Sequence, residues 1–224
     1  MNEVVLIAAF SALVPIFLFL RKWTNKSKAN WLLFLFTFLS IATDTVNYFL
    51  CNANINNHFV INLYDYLALL LELGFIISAL HKNWIYRIFT VFLILILWFI
   101  HARFNYKYGF FKMSFDYSYL FSLIICLYSM VGILHLVLSD SNFFNKSKHI
   151  IMPLLGLLAF EASCLIPLIT NNFELTGDEK IYLYTIYLYT VLTGSIIRNV
   201  LFSFYFIREK SIENDKRILS NSVI

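Results

Sequence analysis

Apolar stretches of nearly uniform length, separated by short polar ones, dominate the chain. They run near residues 4–20, 31–50, 59–80, 84–100, 117–138, 150–170 and 181–207. Runs such as VFLILILWFI at 91–100 are apolar on every side. A transmembrane barrel strand would instead alternate between apolar and polar positions over about ten residues. Each stretch is about as long as a helix that crosses a ~30 Å hydrocarbon core. Backbone groups in lipid must also be bonded within their own segment, which leaves the helix as the only open choice. The pattern therefore predicts an all-α integral membrane protein, a seven-transmembrane-helix bundle over 1–207 with a polar tail at 208–224.

Composition agrees with that reading. Sixty per cent of the residues are hydrophobic and 13% charged, against about 25% charged in soluble domains. Six glycines and three prolines are too few for a loop-rich fold. A cleavable signal would carry basic residues before its apolar core. Here the chain starts MNE, and the basic segment RKWTNKSK follows the first stretch, so we expect a retained first helix with its N-terminus translocated. Cys51, Cys126 and Cys164 have neither metal-type spacing nor a disulfide framework.

Lys and Arg in short loops mark the cytoplasmic side. Arg21, Lys22, Lys26, Lys28, Lys82, Arg87, Lys146, Lys148, Arg208, Lys210, Lys216 and Arg217 fall on one side of a seven-span layout, twelve in all. Arg103, Lys107, Lys112 and Lys180, four in all, fall on the other, and Arg198 lies within the last span. This places the N-terminus outside and the C-terminus in the cytoplasm, in what we expect to be a bacterial inner membrane. The net charge of +4 follows from that bias. No basic face on a folded polar surface exists for nucleic acid. The tail mixes both signs, and it is expected to continue the last helix for a turn or two.

The tetrapeptide NKSK occurs at 25–28 and again at 145–148. At the same offset INLYDYLALLLELGFII (61–77) aligns with IYLYTIYLYTVLTGSII (181–197), matching Ile61, Leu63, Tyr64, Gly74, Ile76 and Ile77 with Ile181, Leu183, Tyr184, Gly194, Ile196 and Ile197. Spans one to three then form a parallel copy of spans five to seven, with span four as linker. This 3+1+3 plan is similar to that of sugar-efflux-type semi-transporters, and it has been proposed for opsin-like proteins. For a transporter of this kind the resemblance implies a site near the midplane between the halves. No span holds a Lys, which excludes a retinal Schiff base, and no cofactor is implied.

An ionised side chain at the bilayer centre costs at least ~2.5 kcal/mol on insertion scales, so each one inside a span is informative. Thr37, Ser40, Asp44, Asn47 and Tyr48 recur at helical spacing and form one stripe on the second span. Asn62, Asp65 and Glu72 share a face of the third. Glu161 sits mid-way along the sixth, and Arg198 lies below the midplane of the seventh beside Asn199.

Two arrangements compete. In one, Glu72 or Glu161 pairs with Arg198 and the remaining polar groups hold helices together. In the other, an acidic cavity open to the outside, lined by Asp44, Asn47, Tyr48, Tyr64, Asp65 and Glu72, binds a small ligand or carries protons. One Arg cannot neutralise four acids, which favours the second. Paired aspartates could also activate a water, making an intramembrane hydrolase, but no GxGD, HExxH or GxSxG motif surrounds them. The five histidines are scattered, so no metal centre is implied. Tyrosines concentrate at span ends, as interfacial residues do. The expectation is a receptor-like or accessory signalling module acting through a cytoplasmic partner, with a facilitative or proton-coupled transporter as the alternative.

Overall fold

The computed structural model describes residues 2–21, 27–80, 84–108, 115–138, 141–171 and 177–221. Among them are seven helices and no strand: α1 (Asn2–Leu20), α2 (Lys28–Asn52), α3 (His58–Leu80), α4 (Trp84–Tyr108), α5 (Phe115–Leu138), α6 (Ser141–Asn171) and α7 (Gly177–Asn221). Four stretches are long and apolar enough to cross a membrane: Lys28–Asn52, His58–Leu80, Tyr119–Leu138 and Leu188–Arg208. The described apolar parts of α1, α4 and α6 are shorter: Ile7–Leu20, Thr90–Ile100 and Ile150–Cys164. Large apolar side chains cover the outside, Phe10, Phe17, Phe49 and Phe99 among them, each at least 64% exposed. Water would penalise such a surface, whereas hydrocarbon does not.

Local chemistry sets several boundaries. The Ser27 hydroxyl accepts the backbone N–H of Asn30 and so caps α2. After α2 the chain turns at Asn54, whose φ of 54° lies in the left-handed region that Asn tolerates better than most residues. Asn56 Oδ1 then accepts the backbone N–H of His58 and opens α3. The second NKSK does not repeat the role of the first. It lies inside α6, which begins at Ser141, whereas α2 begins only at Lys28. The tail also departs from expectation, since α7 runs unbroken to Asn221. Residues 208–221 hold neither Gly nor Pro, and Glu213 precedes Arg217 by four, a spacing that favours helix.

Six helices close a circuit in which each packs on the next: α1 on α2, α2 on α3, α3 on α5, α5 on α6, α6 on α7, and α7 back on α1. Helix α4 lies against α3, and α3 also reaches α6 across the middle. The apolar core runs through Leu33, Phe36, Leu69, Leu73, Ile76, Leu154, Leu157 and Phe202. At one end Phe19 stacks on Phe34 at 4.3 Å and meets Trp31 and Phe206 edge-on. Lipid tails are as apolar as these side chains, so close packing and interhelical hydrogen bonds must supply the stability.

Small residues make that closeness possible between α6 and α7. A Cβ on Gly194 would stand 2.5 Å from Ser163 Oγ and 3.2 Å from the Ala159 carbonyl. One on Gly156 would stand 3.3 Å from Arg198 Cα. Gly74, the counterpart of Gly194 in the sequence echo, meets only the side chain of Leu32 on α2, at 3.4 Å. The two glycines therefore meet their neighbouring helices at different registers.

One polar contact ties the aromatic end together. The Tyr205 hydroxyl on α7 donates to Oδ1 of Asn30 on α2, and both residues are buried. Tyr205→Phe removes this bond and leaves the ring in place. We expect a loss of about 0.6–1.7 kcal/mol, the range for interhelical hydrogen bonds in bilayers, read as a lowered denaturation midpoint in mixed micelles.

Candidate functional site

The middle of the bundle is polar. Arg198 on α7 is fully buried and is the largest of the fully buried side chains. Its Nε donates to Oδ1 of the neighbouring Asn199 at 3.4 Å. Its Nη2 donates to Ser40 Oγ on α2 and to Ser195 Oγ, each at 3.3 Å. The guanidinium carbon lies 4.1 Å from the Phe160 ring centroid and 4.9 Å from that of Phe36, so aromatic faces from α6 and α2 add cation–π attraction. Arg198 thus joins α7 to two other helices. Asn199 extends the link to a third, because its Nδ2 donates to Ser11 Oγ on α1 at 3.0 Å.

None of these bonds goes to a carboxylate, and Nη1 has no hydrogen-bond partner. The simple pairing of Glu72 or Glu161 with Arg198 is therefore replaced by another arrangement. Glu72 on α3 and Glu161 on α6 are close enough to act on each other electrostatically, and Ser122 on α5 lies beside Glu161. Both glutamates are buried. Arg198 acts on them through space rather than by contact. The reason is steric. The rings of Phe36 and Phe160 clamp the guanidinium where hydroxyls, not carboxyls, meet its fork.

Oε1 of Glu72 is buried without a partner. A buried donor on Arg198 and a buried acceptor on Glu72 are thus both unsatisfied, a state native proteins mostly avoid.

The remaining sequence candidates spread outward from this centre. Tyr64 is half-buried and couples electrostatically to Arg198, Glu72, Glu161 and Asp44. Asp65 is half-buried and couples to Glu72. Asp44 is exposed, yet close enough to feel the charge of Arg198. Asn47 is half-buried, with its Oδ1 enclosed and unpartnered. Tyr48 is 65% exposed and its ring packs edge-on against Phe49. The α2 stripe therefore splits: Thr37 and Ser40 face the interior, while Asp44 and Tyr48 lie on the outside of the helix.

A hollow of about 320 Å³ opens elsewhere, between Ala159 and Ser163 of α6 and Tyr189, Thr193 and Ile197 of α7. Thr193 spends its hydroxyl proton on the Tyr189 carbonyl within its own helix. Sequence reasoning did not single out Asn30, Ser122 or Ser163. Asn30 was accessible to it, since it stands three and seven residues before Leu33 and Thr37 on the buried face. Ser122 and Ser163 carry no periodic signal that marks them.

The fold and this centre define a class: an all-helical protein suited to a bilayer, with acids and one arginine enclosed among its helices. No protein family model, characterised protein or solved structure matches the chain.

Proposed function

We propose a receptor-like or accessory signalling module of the membrane, with its N-terminus outside and its C-terminus in the cytoplasm. The observation that carries this reading is the continuity of α7. It extends 45 residues, about 67 Å at 1.5 Å per residue, more than twice the thickness of the hydrocarbon core. One rigid element thus holds Arg198 at the polar centre and ends in the charged segment 208–221. A small ligand engaging Asp44, Asn47, Tyr48, Tyr64 and Asp65 on the outer side shifts the electrostatics around Arg198. The shift displaces α7 and alters what its far end presents to a partner.

Site-specific photo-crosslinking from the α7 tail, in cells, tests this. Asp44→Asn and Asp65→Asn are expected to change the yield of a discrete adduct by about fivefold or more, the lower range of allosteric coupling. Yields equal to wild type in both variants would remove the signalling role. Proteoliposomes are expected to show no solute flux.

A transporter of 3+1+3 plan is favoured by one observation. The packing circuit is unchanged when α1, α2 and α3 are exchanged with α5, α6 and α7, and so are its polar diagonals, Glu72 to Glu161 and Arg198 to Ser40. The unequal registers at Gly74 and Gly194, and the different roles of the two NKSK segments, weigh against it.

A further inference from the structure

We propose that the hollow between α6 and α7 is a binding site for a neutral lipid with one hydrocarbon chain and a hydroxyl head, a long-chain alcohol that reaches it from the bilayer. The site opens on the outside of the bundle rather than on the Arg198 centre, and its test does not depend on the signalling reading.

The hollow, about 320 Å³, runs along α7 from Tyr189 to Ile197, about 12 Å at 1.5 Å per residue. These residues begin the apolar stretch Leu188–Arg208, at the end away from the charged segment 208–221. Tyr189, Thr193 and Ile197 are exposed on the outer surface of the helices, so an occupant enters from lipid. Gly194 forms the floor. Having no Cβ, it lets Ser163 of α6 come close; a Cβ there would stand 2.9 Å from that of Ser163.

The hydroxyls along the hollow select the head. Ser163 donates to the Phe160 carbonyl, Thr190 to that of Ile186 and Thr193 to that of Tyr189, each within its own helix. A hydroxyl has one proton and two lone pairs. With their protons committed, these three offer only acceptors to a ligand. Among the described lining residues none is charged, and an ionised head in hydrocarbon is costly, so a neutral donor suits the site better than an ammonium. The Tyr189 phenol both donates and accepts. A ligand hydroxyl matches this set on both counts, whereas an ether oxygen offers the three acceptors nothing.

Size selects the tail. Small-molecule sites run from about 300 to 1,000 Å³, and this hollow is at the lower end, which suits one chain rather than two. Ala159 and Ile197 give that chain apolar contact.

A photoactivatable hexadecanol, with its diazirine in the chain, tests the site in nanodiscs that hold one full-length chain each. Adducts mapped by mass spectrometry are expected within 159–163 and 189–197. Unlabelled hexadecanol should compete about 3–20-fold better than hexadecyl methyl ether, the span that single hydrogen bonds in a bilayer cover. Ser163→Ala, Thr190→Val and Thr193→Val combined remove all three acceptors and nearly keep the shape, and they should abolish that difference.

Equal competition by alcohol and ether in wild type would overturn the hydroxyl recognition, and this comparison requires no variant to fold. A difference that survives in the triple variant would overturn the assignment of its acceptors. Adducts spread evenly over the lipid-facing positions of α4 and α5 as well would overturn the site, leaving ordinary lipid contact. Labelling that disappears when two chains share a disc would give the hollow to a second copy and overturn the lipid as its occupant.

Discussion

Arg198→Ala is expected to destabilise the bundle more than any other single substitution, by about 3 kcal/mol, the lower end for removing one partner of a buried charge system. Three effects add. The bonds to Ser40, Ser195 and Asn199 are lost, and bilayer hydrogen bonds average about 0.6 kcal/mol each. Contact with the rings of Phe36 and Phe160 is lost. The buried acids Glu72 and Glu161 lose the cation that acts on them through space.

An opposing effect exists, because burying a guanidinium is itself costly and an apolar isostere sometimes stabilises. The groups of Ser40, Ser195 and Asn199 decide the sign here, since they lose their donor whatever apolar side chain replaces the arginine. Arg198→Met separates the contributions by keeping volume and removing charge. It should recover less than half of the loss. Arg198→Lys keeps the charge but not the planar fork that reaches three partners, and it should fall between Arg198→Met and wild type. Thermal denaturation in detergent reads all three. About 3 kcal/mol corresponds to a midpoint roughly 6–12 °C lower for a chain of this size. Wild-type stability in Arg198→Ala would show that these contacts make no net contribution to the bundle.

Gly194→Val is expected to rank second, at about 2–3 kcal/mol, the upper range for forcing extra volume into a packed interior. Its Cβ alone would collide with Ser163 Oγ at 2.5 Å and press the Ala159 carbonyl at 3.2 Å. The branched methyls then have no room between α6 and α7. Gly194→Ala isolates the first collision. The nearest obstacles there are the Ser163 hydroxyl at 2.5 Å and the Ser163 Cβ at 2.9 Å; Ser163→Ala in the same chain removes only the first, so it should restore part of the loss, about 1 kcal/mol by analogy with other overpacked sites. Additive effects of Gly194→Ala and Ser163→Ala in a double-mutant cycle would mean that the helices do not touch at this point. Gly156→Ala offers no such rescue, because two of its three neighbours are backbone atoms of Arg198.

How much of this was legible beforehand varies with the physical scale of each feature. The helices were, because a bilayer allows few ways to satisfy a backbone and a run such as 91–100 leaves no alternative. Their lengths were less so. Apolar composition ends where lipid ends, whereas backbone hydrogen bonding continues into polar sequence before the apolar stretch of α6 and on both sides of that of α7. Glu72, Glu161 and Arg198 stood out as candidates because charge in an apolar run is costly and therefore conspicuous.

Their partners did not stand out. Periodicity places a residue on a face of its own helix and says nothing about which helix meets that face. Asp44 shares a helical face with Thr37 and Ser40 in the sequence pattern, yet is exposed.

By itself, then, the order of residues determined that this chain is helical, that its helices suit hydrocarbon, and that a few ionisable groups must be dealt with inside. Only tertiary structure decided that Glu72 and Glu161 act on each other across α3 and α6, that Arg198 meets hydroxyls and rings, and that α6 and α7 touch through Gly156 and Gly194. The reason is one of range. Burial cost and backbone satisfaction act on each segment alone, whereas a hydrogen bond between α2 and α7 depends on how six helices close into a circuit.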